Sequence, residues 1–420
     1  MITDQVFFYI FEWITIMYWI KSLFGLFIVF IASTQLLFAA PFTPSNDQQI
    51  LETLPEDSPT PRYLNADDFL SNKSIVSPEQ TSQLLQRAYL QGDPRALGQA
   101  RAQLDQSTDQ SVETTLLRAR ALQSDHKFDE SKKLLQQILV QDPANADALL
   151  TLSSLLVVQG QFDDALNYCH KLNDGSLRVY QLACIAQVQS MTGKLTEAKQ
   201  TLNGLASIAP GLDDSTARWI YLIQADVALR SQDDVLAKQV FAVMDTQTVP
   251  ALMARADWLL SQAKYKEVRD LLQNHTDKDA LLLKLIAAQI KLGDPEASKN
   301  LALMKERMDV WQLRQEKAHL REQASYALLA KQTDVALELA RENWQQQRET
   351  ADLTLYVTAA IAANNTKDLK QLNQFIKDSQ FEYPTLERDL QSGKITACLN
   401  CQALRASQGK TQTSNKEMPL

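Results

Sequence analysis

Apolar and polar positions along the 420-residue chain fall into distinct regimes. From Val6 to Ala40 the chain is almost continuously apolar, broken by Glu12, Lys21 and a few hydroxyls, and it then meets Pro41. The stretch PFTPSNDQQILETLPEDSPTPRY that follows holds five of the chain's 13 prolines. Proline's missing N–H and fixed φ forbid a sustained helix there, so it reads as a spacer. Beyond it apolar residues recur in segments separated by short polar turns, the pattern of successive amphipathic helices. The end, from Ser407 to Leu420, is polar and reads as a disordered tail. The expected organisation is a signal peptide or membrane anchor over 1–40, a Pro-rich linker over 41–78, a helical solenoid over 79–390, and a flexible tail over 391–420.

The helical region has an internal period. Gly160-Gln161-Phe162-Asp163-Asp164-Ala165 compares with Gly193-Lys194-Leu195-Thr196-Glu197-Ala198: glycine at a turn, an apolar residue two later, alanine three after that. Phe128 precedes Phe162 by 34 positions with Ser131 in the alanine slot, and Gly92 precedes Gly160 by 68. Pro143 and Pro210 fall 12 positions after Ser131 and Ala198, where a second helix should end. Around Ala237, Val268, Ser298 and Ala336 the pattern continues with uneven spacing. Each unit reads as two helices around a tight turn, the glycine allowing the turn and the small residue a close helix approach. Neither helix buries its face alone, so stacked hairpins share one core, about eight units in all. Gly92-Asp93-Pro94-Arg95-Ala96 recurs as Gly293-Asp294-Pro295-Glu296-Ala297, with Asp as helix cap and Pro at the first helical position.

This period and these slots resemble the tetratricopeptide repeat family. The unit from Ala146 to about Val179 carries Leu149, Leu152, Leu156, Gly160, Phe162 and Ala165 in the family's packing positions, and the unit from Val112 to Asn145 keeps Ala119, Leu122, Phe128 and Pro143. The likeness covers roughly residues 79 to 375 and is strongest from 112 to 210. The large aromatic usual early in the first helix is replaced by Thr115, Leu149 and Leu182, and only Tyr221 approaches it. The resemblance implies an all-α, right-handed superhelical solenoid whose first helices line a concave surface. The family's register then implies a partner-binding groove of Arg120, Gln123, Asp147, Ser154, Tyr180 and Gln187, followed by Asp226 and Arg230. Tyr180 is the preferred anchor, because a central aromatic offers large contact area at low entropic cost. The set mixes signs and lacks the Lys and Asn run with which the chaperone-binding branch clamps a terminal carboxylate. An acidic C-terminal peptide is therefore not the expected ligand.

Composition narrows the function. Only 11 residues are glycine, which argues against turn-dense β-sandwiches and glycine-rich nucleotide-binding sheets. With 50 Asp plus Glu against 42 Lys plus Arg, the chain offers no electrostatic footprint for nucleic acid or an anionic membrane surface. The N-terminal run has two readings. From Met17, MYWIKS forms a basic n-region and LFGLFIVFIASTQLLF an h-region ending at Ala39-Ala40, the layout of a secretory signal peptide. Leu37 or Phe38 stands where a small residue is preferred and Pro41 disfavours a cut before it, so an uncleaved anchor is the alternative. Either reading exports the body, to the periplasm or the extracytoplasmic side of the inner membrane.

Four cysteines form two pairs. Cys169 ends one unit and Cys184 lies in the first helix of the next. Counting ~1.5 Å per residue from the turn near Gly175 puts them within ~3 Å of one height, close enough for the ~3.8 Å Cβ separation of a disulfide. Two buried free thiols are the alternative. Cys398-Leu399-Asn400-Cys401 is a possible redox pair, but a thioredoxin-like reading needs a βαβ context, and a zinc site needs two further ligands. An oxidised local loop or tether is the plainer expectation. The four histidines, His126, His170, His275 and His319, have no metal-ligand spacing, so no metal or cofactor is expected. No nucleophile elbow, phosphate loop, dinucleotide fingerprint or His-Glu-x-x-His occurs. The pairs Asp163-Asp164, Asp213-Asp214 and Asp233-Asp234 read as helix caps and first-turn acids. Arg321 and Trp344 form a secondary candidate surface, against the plainer reading of a salt-bridged face and a core tryptophan. The expected function is a non-enzymatic, exported scaffold that binds a protein or peptide at the cell envelope, touching membrane only through an uncleaved N-terminus. The alternatives are a thiol-disulfide exchange factor using Cys398 and Cys401, or a regulatory subunit of a transporter or secretion complex.

Overall fold

The first hairpin shows how the sequence builds each unit. Helix α1 (Pro78–Gln91) ends at Gly92, whose φ of +58° turns the chain, and Asp93 then accepts from the N–H groups of Arg95 and Ala96 to start α2 (Pro94–Gln106). Ala96, Ala100 and Leu104, spaced by one turn each, are the face α2 buries. In the computed structural model, which describes residues 77–245, 247–313 and 319–393, the same construction repeats. The hairpins are α3 (Val112–Ser124) with α4 (Phe128–Gln141), α5 (Ala146–Val158) with α6 (Phe162–His170), α7 (Arg178–Ser190) with α8 (Leu195–Ile208), and α9 (Asp214–Ser231) with α10 (Asp234–Val243). Then follow α11 (Val249–Ser261) with α12 (Tyr265–Leu272), α13 (Asp279–Leu292) with α14 (Glu296–Leu313), α15 (Leu320–Leu329) with α16 (Thr333–Gln346), and α17 (Thr350–Ala362) with α18 (Thr366–Ser379). A single helix, α19 (Pro384–Ser392), closes the stack. Among the described residues there are nine hairpins and no strand. The expected eight units leave out the last hairpin, whose turn at Asn364 has no glycine and is followed by Leu369 in place of a small residue. The described residues belong to one compact unit, Ile75–Leu420.

One left-handed residue sits in the turn inside every hairpin, from φ +53° at Asn364 to +75° at Gly193. Four are Gly92, Gly160, Gly193 and Gly293; the other five are His126, Gln232, Ala263, Lys331 and Asn364. The small slots after these turns are sealed: Ala165, Ala198, Ala237, Val268 and Ala336 have no exposed surface. Ser131 fills the same slot with its hydroxyl donating to the Ala119 carbonyl at 2.8 Å, which satisfies a polar group that burial would otherwise leave unpaired. The reading of Ser298 is corrected. It is exposed and Ala297 is buried in its place, because the turn at Gly293 shifts the register of α14 by one.

First and second helices differ in how much they bury. The second helices bury a stripe, as Phe128, Ser131, Leu135 and Ile138 do in α4. The later first helices are buried nearly all round: α13 from Leu281 to Gln289 and α17 from Leu353 to Ile361. A helix apolar on every side needs neighbours on every side, and the solenoid supplies them by winding back on itself. One apolar cluster joins α3 to α7 with α15 to α19. Along this seam the Arg348 N–H donates to the Val158 carbonyl at 2.7 Å. The Leu195 N–H donates to Glu382 Oε1 at 3.0 Å, and the guanidinium of Arg230 reaches the Glu382 carbonyl. The segments 1–40 and 41–76 and the tail with Cys398 and Cys401 lie outside the described residues.

Candidate functional site

The inner surface is built by the first helix of each hairpin and divides into a closed and an open part. From α9 onward it is filled by the protein's own ion pairs. Arg230, fully buried, binds Asp226 Oδ2 at 2.8 Å, the Ser190 carbonyl at 2.7 Å and the Ser190 hydroxyl at 3.1 Å, and lies over the Phe381 ring. Lys284 pairs with Asp257, and burial pushes that carboxyl up while the ammonium pulls it down. Arg321 binds Asp352 at 2.6 Å and Glu349 at 2.6 Å. Burial opposes its charge, but the two carboxylates outweigh it and hold the guanidinium well above the ordinary arginine range. Charge taken from water survives only where it is paired in this way.

The expected groove is therefore shorter than its register implied. Arg230 is corrected: with no exposed surface it braces α9 against the end of α7 and the segment leading into α19 instead of facing a ligand. Asp226 turns its carboxylate to Arg230 and lies in the same closed part. Trp344 is likewise a core residue, edge-on to Phe375 with centroids 4.9 Å apart, and Arg321 is engaged by its two carboxylates.

The open part is a cleft of about 290 Å³ between α3, α5, α7 and α9. It brings together Arg120, Gln123, Ser154 and Tyr180, with Leu150, Thr151, Ser215, Thr216 and Trp219. Arg120 pairs with Asp147 at 3.0 Å on the exposed rim. The Thr216 hydroxyl lies 3.4 Å from the Tyr180 hydroxyl and links the two walls. Asp213 caps α9 at this edge; hydrogen bonds from Ser215 and Thr216 hold its carboxyl down at about 2. Gln187 is half-buried on α7 but does not line the cleft. Trp219 and Thr216 were not among the expected residues. Their signal was an aromatic and a hydroxyl at the start of α9, but that helix has 18 residues against 13 in α7, and the 34-residue register slips across it.

Cys169 and Cys184 are joined by a disulfide between α6 and α7, with Cα atoms 5.6 Å apart. The bond lies in the core, with Cys184 one turn along α7 from Tyr180. The acidic pairs serve helix starts: Asp213 and Asp233 cap α9 and α10, while Asp163 and Asp164 are exposed in the first turn of α6. Among the described residues no cluster of three or more His, Cys, Asp or Glu side chains could hold a metal ion, and no helix is long and apolar enough to cross a membrane.

Hairpins stacked side by side, each with a left-handed turn and most with a small packing residue after it, define an all-α helical-repeat solenoid. Residues 122–174 match the family model described as tetratricopeptide repeat, and the helical hairpins on either side of that segment are consistent with the match. A search of curated proteins found no match.

Proposed function

We propose that this protein is an exported, non-enzymatic scaffold that holds a segment of a protein partner in the Arg120–Tyr180 cleft on the extracytoplasmic side of the membrane. The observation that carries the reading is the convergence of Arg120, Gln123, Ser154 and Tyr180 from three hairpins on one cleft, while the rest of the inner surface is consumed by internal ion pairs. Tyr180 and Trp219 offer apolar faces, and Gln123, Ser154 and Thr216 offer groups for a peptide backbone. The apolar run ending at Ala39-Ala40 supports export.

A photocrosslinking residue at Ser154 in the full chain, activated in intact cells and followed by fractionation, tests both halves. The expected product is one defined partner in the envelope fraction, absent when the same residue replaces exposed Val140. Arg120→Ala with Tyr180→Ala should weaken binding to that partner by at least about tenfold with the circular dichroism of folding unchanged. Unaltered binding by the folded double variant moves the site elsewhere, and a cytoplasmic product refutes export.

A further inference from the structure

His126 follows Gln123 of the cleft by one turn and occupies the left-handed corner between α3 and α4, with φ +59° and its N–H donating to the Gln123 carbonyl at 3.0 Å. Its ring, beside Phe128, crosses the seam: Nδ1 lies 2.7 Å from Nε2 of Gln347. Which of the two donates is fixed by a relay. Asn343 gives its amide N–H to Asp352 at 2.7 Å, so its carbonyl is left to accept, and Gln347 Nε2 donates to that carbonyl at 3.2 Å. Arg321 donates to the Gln347 carbonyl at 3.1 Å. The Gln347 amide is thus oriented from two sides, by Asn343 and Arg321, and its second N–H must go to an acceptor. His126 Nδ1 is therefore unprotonated, and the neutral ring carries its proton on Nε2.

We infer that His126 is an acid-released latch on the seam. Neutral, it accepts from Gln347 and ties the α3–α4 corner, and with it Gln123, to α16; protonated, it sets N–H against N–H and lets go. The next residue, Arg348, makes the backbone bond to Val158 and lies against Gly160, so release loosens the seam at its closest approach.

The charges around the ring leave this direction intact. Burial comes first and holds the imidazole below its ordinary value of 6.5; Glu322 and Asp352 pull up, and Arg321 and His319 pull down. Asp352 is already matched by Arg321. On the ring's own hairpin Lys127, Asp129 and Glu130 share an adjoining recess with Gln159 of α5 and with Gln345 and Gln346 of α16. Because the folded value is depressed, the unfolded chain takes up the proton first as pH falls below about 6.5, and the latch's contribution is lost on the acid side. That the released corner also alters partner affinity rests on the cleft reading; the latch does not.

Hydrogen exchange of the full chain without any partner tests it, comparing protection of the Arg348 N–H, corrected for intrinsic rate, at about pH 7.5 and about pH 5.5. The expected result is a loss of about tenfold in acid. His126→Asn, which suits the left-handed corner and does not titrate, should remove the pH dependence. Gln347→Glu should reverse its sign, because a carboxylate binds the protonated ring. The same acid loss in His126→Asn, or none in the wild-type chain, overturns the latch. Either result leaves partner binding at the cleft to be judged on its own test.

Discussion

At the scale of single residues, burial separates arginines that look alike in the sequence. Arg120 and Arg230 both fall on the inner face of a first helix, and both have an aspartate partner at about 3 Å. Arg120 is half-exposed, and a surface ion pair stabilises by at most about 1 kcal/mol. Arg230 is sealed, and its loss removes the partner of Asp226 and a donor to the carbonyls of Ser190 and Glu382. Arg230→Ala should cost about 3 kcal/mol or more and Arg120→Ala under about 1 kcal/mol, both read from urea unfolding midpoints. Comparable losses at the two positions would contradict the closed inner surface at α9. The family's register put both residues in one groove; it carried no information about what packs on that face, and Arg230 is sealed there.

At the scale of elements, a hairpin with a short second helix supports the cleft. Helix α6 has only nine residues, and a short 3-10 turn, Gly175–Leu177, leads from it into α7. So short a helix is marginal by itself, and the Cys169–Cys184 bond fixes it to α7 within the core. Closing a loop of 15 positions removes conformational freedom from the unfolded chain, so reduction should cost about 2 to 3 kcal/mol. Mass mapping of non-reduced protein should recover the linked peptides, and thermal unfolding with and without reductant should show the loss. Two free thiols in native exported material would refute the pairing. The hairpins themselves were legible where glycine marked the turn. The turns at Gln232, Ala263 and Lys331 were legible only through the slots at Ala237, Val268 and Ala336, and the turn at Asn364 was not, because there the packed helices on either side hold an ordinary residue in a left-handed conformation that costs about 1 to 2 kcal/mol.

At the scale of the whole solenoid, the seam decides how much inner surface remains. Gly160 and Gly293 are each the left-handed residue of their hairpin's turn, with φ +70° and +65°. A Cβ at Gly293 meets nothing within 4 Å, whereas one at Gly160 lies 2.8 Å from Cδ and 3.2 Å from Cβ of Arg348 across the seam. Gly293→Ala should therefore carry only the backbone cost of about 1 to 2 kcal/mol. Gly160→Ala adds a clash that opens the seam, and protection of the Arg348 N–H should fall in that variant alone. Equal exchange in the two variants would mean that the seam does not hold in solution.

By itself the sequence determined the repeat, its period and the capped turns at Asp93 and Asp294, because these follow from local periodicity and cap chemistry; the cleft residues Arg120, Gln123, Ser154 and Tyr180 came from the family's register, which the resemblance supplied. Only the tertiary structure decided that nine hairpins wind far enough for Gly160 to meet Arg348 and for Glu382 to reach Arg230. Those contacts join residues separated by 188 and 152 positions. They depend on small rotations between successive hairpins that add up along the stack, and no single repeat carries that sum in its own residues.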